Sequence, residues 1–303
     1  MVGRTRRASG VWGRAAGAAA GLAVVIAAPG LQAAPASADS TPPPANTISG
    51  CQVGYGYWMS ASDGGVFNFG AAKFWGSAGN IALNKPVVGM AATPTGDGYW
   101  QVASDGGIFS YGDAAFHGST GNIHLNQPIV GMARTPTGDG YWLVAADGGV
   151  FSFGDAAFHG STGNIHLNQP IVGIASSNSG NGYWLVASDG GIFAFGDAAF
   201  LGSEGGTKLN KPIVGIDVTP DGGGYYMVAS DGGIFSFGNA TFHGSTGNIA
   251  LNKPIVTMSV DFPGKGYWLV ASDGGVFAFG DAPFCGSTGN ITLNKPVVAS
   301  ASR

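Results

Sequence analysis

The feature that most constrains this chain is a period of 42 residues marked by tyrosine. The marks are Tyr57, Tyr99, Tyr141, Tyr183, Tyr225 and Tyr267. No insertion or deletion separates them. Self-similarity at a fixed spacing of about 20–50 residues is the signature of a repeat architecture. The chain therefore contains six tandem units, and each unit supplies one supersecondary element.

Each unit carries the signals of four short strands. In the third unit, apolar runs at 141–145 and 150–153 flank Asp147-Gly148-Gly149, which is typical of a tight β-hairpin turn. Another apolar run, 129–133, precedes the hairpin, and a shorter one, 156–159, follows it. In chain order we name these predicted strands a, b, c and d.

Four antiparallel strands in about 42 residues match one blade of a β-propeller. A parallel solenoid does not fit, because its coils need no hairpin, whereas the Asp-Gly-Gly turn occurs in every unit. The turns begin at Asp63, Asp105, Asp147, Asp189, Asp231 and Asp273. Strands a and b are apolar at successive positions, as expected for sheets packed on both faces. The sequence predicts an all-β fold, a single six-bladed propeller with four strands per blade.

The N-terminal residues predict a processed, exported protein. Residues 1–38 have four arginines, an apolar stretch and Ala36-Ser37-Ala38 at the end, the pattern of a signal peptide. The apolar run is shorter than the ~20 residues that span a bilayer, so we expect no membrane span after processing. The Arg6-Arg7 pair leaves general and twin-arginine export both open. Residues 39–47 form a Pro-rich linker, and 48–303 form the propeller.

Charge excludes some partners. After removal of residues 1–38, nine basic and 17 acidic residues remain, a net charge of −8. An acidic surface without a basic cluster argues against nucleic acid and anionic lipid as partners. We expect a monomer that is secreted or associated with the cell wall.

The C-terminus indicates how the ring closes. Pro296 to Ala301 repeats the strand-a pattern of Pro86 to Ala91, but no strands b, c and d follow it. We therefore expect 297–302 to be the innermost strand of the blade that contains Tyr57. The competing candidate, 48–51, is less apolar and lacks the starting proline.

The two cysteines predict a second closure. In an exported chain with an even count, Cys51 and Cys285 are expected to be paired. The bond would close a loop of 234 residues. Strands a and d of one blade lie about three strand spacings of ~4.8 Å apart, too far for a disulfide. Cys51 must therefore run outward, towards the turn between strands c and d of the last blade, leaving the inner position to 297–302.

Several repeated residues resemble functional groups but favour structural roles. The turn aspartates fit the preferred hairpin turn. Asp113 and its equivalents between strands c and d are replaced by Ala71 and Asn239 in two units, which a turn tolerates and a ligand set does not. His117, His159 and His243 share one position with Leu201 and Trp75, which indicates a packing site. The Tyr-Trp pairs of strand b are expected in the core. We expect no metal and no cofactor.

A catalytic function has little support. Acid–base chemistry needs two groups in different environments, whereas six near-identical blades offer near-identical environments. The repeat is broken at 203–208, which holds Glu204, the only glutamate of the chain. If the protein is an enzyme, Glu204 is the first catalytic candidate.

The loop between strand d and the next strand a is the candidate binding element. In every unit Ile or Thr and then Leu occur two residues apart, with a variable residue between them, such as His124 or His166. This pattern suggests two buried anchors and one outward side chain. Hydroxyl- and amide-rich loops suit neutral polyols. The predicted ligand-binding residues are Ser119, Thr120, Asn122, His124, Asn126, Ser161, Thr162, Asn164, His166 and Asn168.

The segment from Gly182 to Phe200 reads Gly-Tyr-Trp-Leu-Val-Ala-Ser-Asp-Gly-Gly, then Ile-Phe-Ala-Phe-Gly-Asp-Ala-Ala-Phe. It resembles a tandem repeat of secreted actinobacterial proteins, often found beside cell-wall or polysaccharide hydrolase domains. The resemblance covers residues 48–302 and implies no catalytic residues. By architecture the chain is also similar to tachylectin-type lectin propellers.

These observations predict a secreted, non-enzymatic module that binds neutral polysaccharide or cell-wall glycan through repeated weak sites, since repetition raises avidity. Two alternatives remain open. One is a secreted hydrolase, an esterase or glycosidase, with a site at the propeller axis. The other is a structural surface protein that binds another protein.

Overall fold

The computed structural model describes Cys51 and residues 54–303. In this part of the chain all regular structure is β. The predicted signal peptide 1–38, the linker 39–47 and residues 48–50 lie outside the described residues. No helix in the described part is long and apolar enough to cross a membrane.

Eighteen strands form six antiparallel sheets of three strands each. The strands are β1 (Gly56–Ala61), β2 (Val66–Gly70), β3 (Val87–Ala92), β4 (Gly98–Ala103), β5 (Ile108–Gly112), β6 (Ile129–Arg134), β7 (Gly140–Ala145), β8 (Val150–Gly154), β9 (Ile171–Ser176), β10 (Gly182–Ala187), β11 (Ile192–Gly196), β12 (Ile213–Val218), β13 (Gly224–Ala229), β14 (Ile234–Gly238), β15 (Ile255–Val260), β16 (Gly266–Ala271), β17 (Val276–Gly280) and β18 (Val297–Ser302). From the inner to the outer strand, blade 1 is β18-β1-β2, and blades 2 to 6 follow in chain order from β3-β4-β5 to β15-β16-β17.

The inner strands close into a ring. β3, β6, β9, β12, β15 and β18 each lie beside two others of this set, and the last neighbour of β15 is β18, which also contacts β3. This cycle confirms the six-bladed propeller.

The hairpin between strands b and c follows from its sequence. In blade 3, Gly148 has a φ of 77°, a left-handed conformation that favours glycine. The carboxylate Oδ1 of Asp147 accepts a hydrogen bond from the Gly149 N–H at 2.9 Å. The same bond forms in all six blades. The turn aspartates are therefore structural, as predicted.

The predicted fourth strand, d, does not form. In blade 3 the Trp142 indole N–H donates to the Ala157 carbonyl at 2.8 Å. The His159 N–H donates to the Tyr183 hydroxyl of the next blade at 3.1 Å, and that hydroxyl donates to the Gly160 carbonyl at 2.6 Å. Segment d therefore fills the gap between two blades, where side chains take up its backbone groups instead of strand c. The prediction of four strands per blade was wrong for this reason.

The repeated Tyr-Trp pair is the centre of the core, as predicted. The tyrosines and tryptophans of strand b are at most 2% exposed. Each tryptophan of one blade packs on the tyrosine of the next, as Trp142 does on Tyr183 with ring centroids 5.5 Å apart. Tyr226 replaces the tryptophan once and donates in the same way to the Thr241 carbonyl. The hydrophobic core thus consists of six similar clusters between neighbouring blades.

The tyrosine hydroxyls join neighbouring blades, which yields a stability prediction. Tyr141 donates to the Gly118 carbonyl at 2.6 Å and accepts from the His117 N–H at 3.1 Å. Tyr141→Phe leaves both groups without this partner, so we expect a loss of about 2 kcal/mol. The melting temperature should fall by roughly 4–8 °C in a thermal melt. Tyr111→Phe is the matched control, because the next unit has Phe153 at that position; an equal fall in both variants would contradict the assignment.

Both predicted closures are present. β18 pairs with β1 as the innermost strand of blade 1, with Trp58 opposite Ala301. Cys51 and Cys285 form a disulfide with their Cα atoms 4.7 Å apart. Cys51 lies beside Gly70 at the end of β2, where an added Cβ would be 2.6 Å from its Sγ. The cysteine thus lies at the end of the outer strand, as the predicted route requires.

Candidate functional site

The loop face of the propeller is formed by the six Asp-Gly-Gly turns and the six loops that lead into the next inner strand. These two elements touch in each blade. In blade 2 the Thr120 N–H donates to the Gly106 carbonyl at 3.3 Å, and the Thr120 hydroxyl donates to the Asp105 carbonyl at 3.0 Å. The loops are thereby held in one orientation on the face where the sequence placed them.

Two of the predicted binding residues are structural. Thr120 and Thr162 are 1% exposed, and both hydroxyls donate to turn carbonyls. They are buried because they hold the loop to the turn, so the prediction that they contact a ligand is corrected. Ser119 and Ser161 are partly buried. The exposed predicted residues are Asn122, His124, Asn126, Asn164, His166 and Asn168.

Of the two predicted loop anchors, the leucine is confirmed and the isoleucine is wrong. Leu125 is partly buried and packs on the core between blades 2 and 3. Ile123, predicted to point inward, is 56% exposed. Its N–H donates to the Thr120 carbonyl at 3.0 Å, so the chain turns immediately after the buried threonine and directs the isoleucine to solvent. Five of the six loops expose an isoleucine in this way, and the loop into blade 5 has Thr207 at this position.

One groove on the loop face collects several predicted residues. It has a volume of about 310 Å³ and lies between the hairpin turn of blade 3 and the loop into blade 4. Its polar lining is Gln127, Asp147, His166, Asn168 and Gln169, with Ile165 as an apolar wall. The loops 118–127 and 160–169 contain no lysine, arginine or acidic residue. The groove thus combines amides, an imidazole and the carboxylate of Asp147 with apolar contacts that include Ile165.

Other repeated groups have structural roles. The carboxylate of Asp155, between strand c and segment d, accepts from the Thr137 hydroxyl at 2.6 Å. His159 packs on Tyr183 with ring centroids 5.7 Å apart. Similar contacts recur around the ring. The predictions of turn and packing roles for these aspartates and histidines are confirmed.

Glu204 lies on the loop face at the position of the buried threonine in blades 2 and 3. Its N–H donates to the Gly190 carbonyl at 2.9 Å, as the threonine N–H does elsewhere. The side chain is partly exposed. Its role as the first catalytic candidate stays a prediction.

Sequence reasoning placed the site of the hydrolase alternative at the propeller axis but predicted none of the residues that line the central channel there. The six inner strands enclose a volume of about 660 Å³ that reaches the turns between strands a and b, on the face opposite the loop face. Valine lines it in every blade, at 88, 130, 172, 214, 256 and 298. Among the described lining residues, Asp217 is the only carboxylate and Arg134 and Arg303 are the only cations.

Asp217 is held by two backbone groups. Its Oδ1 accepts from the Val218 N–H at 2.9 Å, and its Oδ2 accepts from the Val260 N–H of the neighbouring blade at 2.8 Å. Burial raises the pKa of this carboxyl to about 6, against these hydrogen bonds, which lower it. The residue as a whole is partly buried and is one of those that line the channel. Aligning the six strands a reveals that Asp217 departs from the repeat, because the equivalent residues are Ala91, Ala133, Ala175, Ser259 and Ala301.

A third repeated feature is a set of exposed phenylalanines in segment d. Their side chains are 41–63% exposed. They are Phe116, Phe158, Phe200, Phe242 and Phe284. Five blades therefore present the same aromatic group to solvent.

These features define a six-bladed β-propeller with three strands per blade. Its ring is closed by β18 and by the disulfide, and its candidate surfaces are the loop face, the central channel and the phenylalanines of segment d. No family model matches the sequence, and no curated protein matches it. A chain from the crystal structure of a nidogen/laminin complex is similar, with a TM-score of 0.56 and 11% identity over 82% of this chain and 98% of that chain. A chain from the Myceliophteria thermophila Cps50 (Swd1) β-propeller domain has a TM-score of 0.49 and 9% identity over 74% of this chain and 78% of that chain. At these identities the likeness concerns the fold.

Proposed function

We propose that this chain is a secreted, non-enzymatic module that binds neutral polysaccharide or cell-wall glycan through repeated weak sites on the loop face. The observation that carries the proposal is the groove beside His166, where neutral amides, an imidazole, Ile165 and the turn carboxylate of Asp147 line one depression. Amides both donate and accept hydrogen bonds, which matches the hydroxyl groups of a sugar. The isoleucine supplies an apolar contact for the C–H face of the sugar ring.

Charge identifies the preferred loops. The loops into blades 3 and 4 are neutral and carry His124 and His166, whereas other loops carry an exposed lysine before the inner strand. These lysines are Lys85, Lys211, Lys253 and Lys295. Neutral loops suit an uncharged glycan, and related loops around one ring give several contacts with a repeating polymer. Linked weak sites raise the overall affinity without any strong single site.

The disulfide supports the extracellular part of the proposal. Structural disulfides persist in oxidising compartments and are rare in the cytosol. The Cys51–Cys285 bond joins the first and last blades. This agrees with the export signal expected at residues 1–38 and with the resemblance to secreted actinobacterial repeat proteins.

The test is retention on insoluble glycans. We expect the oxidised protein to be depleted from solution by purified cell wall, cellulose or starch granules, and His124→Ala with His166→Ala to reduce retention at least about threefold, a loss of the size of one weak hydrogen bond. Alanine is tolerated there, because Ala82 and Ala250 occupy the same position in other units. The far-ultraviolet spectrum should not change.

His117→Leu is the matched control, since Leu201 occupies that packing site in another unit and retention should persist. Equal retention of the double variant and the parent would overturn the loop-face site. Turnover of an ester or glycoside that disappears in Glu204→Gln would replace the proposal by the hydrolase alternative.

A second candidate is a surface protein that binds another protein. The five exposed phenylalanines of segment d favour it, because exposed apolar groups mark interaction sites. The same retention experiment separates the candidates. Protein-free glycan retains the chain only under the first.

A further inference from the structure

Several residues that depart from the repeat line the central channel. Four blades have alanine where blade 5 has Asp217. In the neighbouring inner strands, Ser259 and Ser300 share a hydrogen bond of 2.7 Å, and Thr257 lies within 3.5 Å of Ser300. These strands thus add one carboxylate and three hydroxyls to the channel, beside the apolar Ile216 and Met258.

The channel also has a row of apolar side chains that runs through five blades. Its members are Met90, Met132, Ile174, Ile216 and Met258, with Ser300 at the sixth position. Polar residues, among them Thr93, Arg134 and Ser176, line the channel in blades 2 to 4. At the mouth, the turn of blade 6 carries Phe262, which is 82% exposed. A near-identical repeat has thus placed one carboxylate, two guanidinium groups, several hydroxyls and an exposed aromatic ring around a cavity large enough for a small molecule.

Each charged side chain around the cavity has identified hydrogen-bond partners. The guanidinium of Arg134, two blades from Asp217, donates to the Thr135 and Pro136 carbonyls of its own turn. Arg303 donates to the Ala71 carbonyl. Both cations are therefore held at backbone carbonyls. Asp217 also uses backbone partners, but a carboxylate has about four acceptor sites, and only two are occupied by the N–H groups of Val218 and Val260.

We propose that the central channel binds a small organic ammonium ion with an apolar body, held by the carboxylate of Asp217. The ammonium group takes the acceptor sites of Asp217 that the two backbone N–H groups leave open, and the apolar part lies on the row that contains Met90, Met132 and Met258. Phe262 at the mouth offers its ring face to a cation, a favourable contact. The site lies on the face opposite the proposed glycan sites, so the two functions are independent.

The probe is benzylammonium, measured by isothermal titration calorimetry at pH 7.5 with the oxidised protein. A charge-assisted hydrogen bond predicts at least about a tenfold weaker affinity for Asp217→Ala, a substitution that restores the residue of four other blades. Benzyl alcohol, which has the same ring without the charge, should bind the parent at least about tenfold more weakly. Equal affinity of the amine and the alcohol overturns the proposal, as does the absence of benzylammonium binding.

Asp139→Asn is the control for general charge. It removes one carboxylate from the same face, and Asn181 occupies the equivalent position in the next unit. We expect unchanged affinity. An equal loss in Asp139→Asn and Asp217→Ala would show only long-range attraction and overturn the assigned site.

Acidification provides a further measurement. Asp217 loses its charge as the pH falls through about 6, whereas the amine stays protonated, so affinity should fall between pH 7.5 and 5. The strands packed against β12 contribute Tyr226, directly opposite Asp217, and Asp261 follows the neighbouring inner strand. Burial raises the pKa of both Tyr226 and Asp261. The pH dependence should be absent in Asp217→Ala; its persistence there would assign the effect to another group and overturn the proposal.

Discussion

Deleting residues 297–303 should lower the melting temperature of the oxidised protein by roughly 10–20 °C. β18 supplies the inner strand of blade 1, and its five residue pairs with β1 would be lost. Val297 and Ala299 also leave the core. The hydrogen bonds and the buried area together correspond to about 5 kcal/mol, and about 2–4 °C accompanies each kcal/mol in a domain of this size.

The control variant distinguishes the loss of β18 from the loss of the terminal guanidinium. Arg303→Ala removes a guanidinium that contacts the Ala71 carbonyl at 3.2 Å but keeps the strand, so we expect a change of at most about 2 °C. Adding a synthetic peptide of residues 295–303 to the truncated protein should restore part of the loss. A truncated protein that melts with the parent would show that closure does not depend on β18.

Closure of the ring by β18 was predictable because the repeat pattern itself indicates it. The final half-unit has the pattern of strand a and no following strands, and only one blade lacks an inner strand of its own. The hairpins were predictable for a local reason, since Asp147 and Gly148 have few other conformations that suit them. The cysteine pair was predictable because both residues break the repeat at its two ends.

Segment d and the channel were not predictable from one unit. The run at 156–159 is apolar, as an outer strand is, but its partners are Trp142 of its own blade and Tyr183 of the next. Those contacts exist only after the blades have assembled. Ile123 was misplaced because Thr120 bonds to the hairpin turn of its own blade, 15 residues earlier in the chain, and the chain turns directly after it.

Asp217 illustrates the difference. In the sequence it is one aspartate among many, and its neighbours in the strand are ordinary apolar residues. Only the assembled ring shows that its position lines the central channel and borders the next blade. Aligning the units by the 42-residue period would have identified the substitution, but not the cavity beside it.

Removing the disulfide should produce the second large effect. The bond closes 234 residues, for which the chain-entropy model gives roughly 5 kcal/mol. Cys285→His is the appropriate replacement, because His117, His159 and His243 occupy the equivalent position, and Cys51→Ser completes the variant. We expect its melting temperature to lie roughly 10–20 °C below that of the oxidised parent. Reducing agent should lower the parent to a similar value and leave the variant unchanged.

The two closures act at the same junction, so their losses should not be additive. β18 holds blade 1 from the inside, while the disulfide ties the start of blade 1 to segment d of blade 6. With either one present, the first and last blades remain neighbours and Tyr57 keeps its bond to the Gly286 carbonyl at 2.5 Å. With both removed, no chain connection or shared sheet joins them. The disulfide variant made in the protein lacking 297–303 should therefore melt lower than the sum of the two separate losses predicts. Strict additivity would mean that the closures stabilise separate parts of the ring, contrary to their common position between blades 6 and 1.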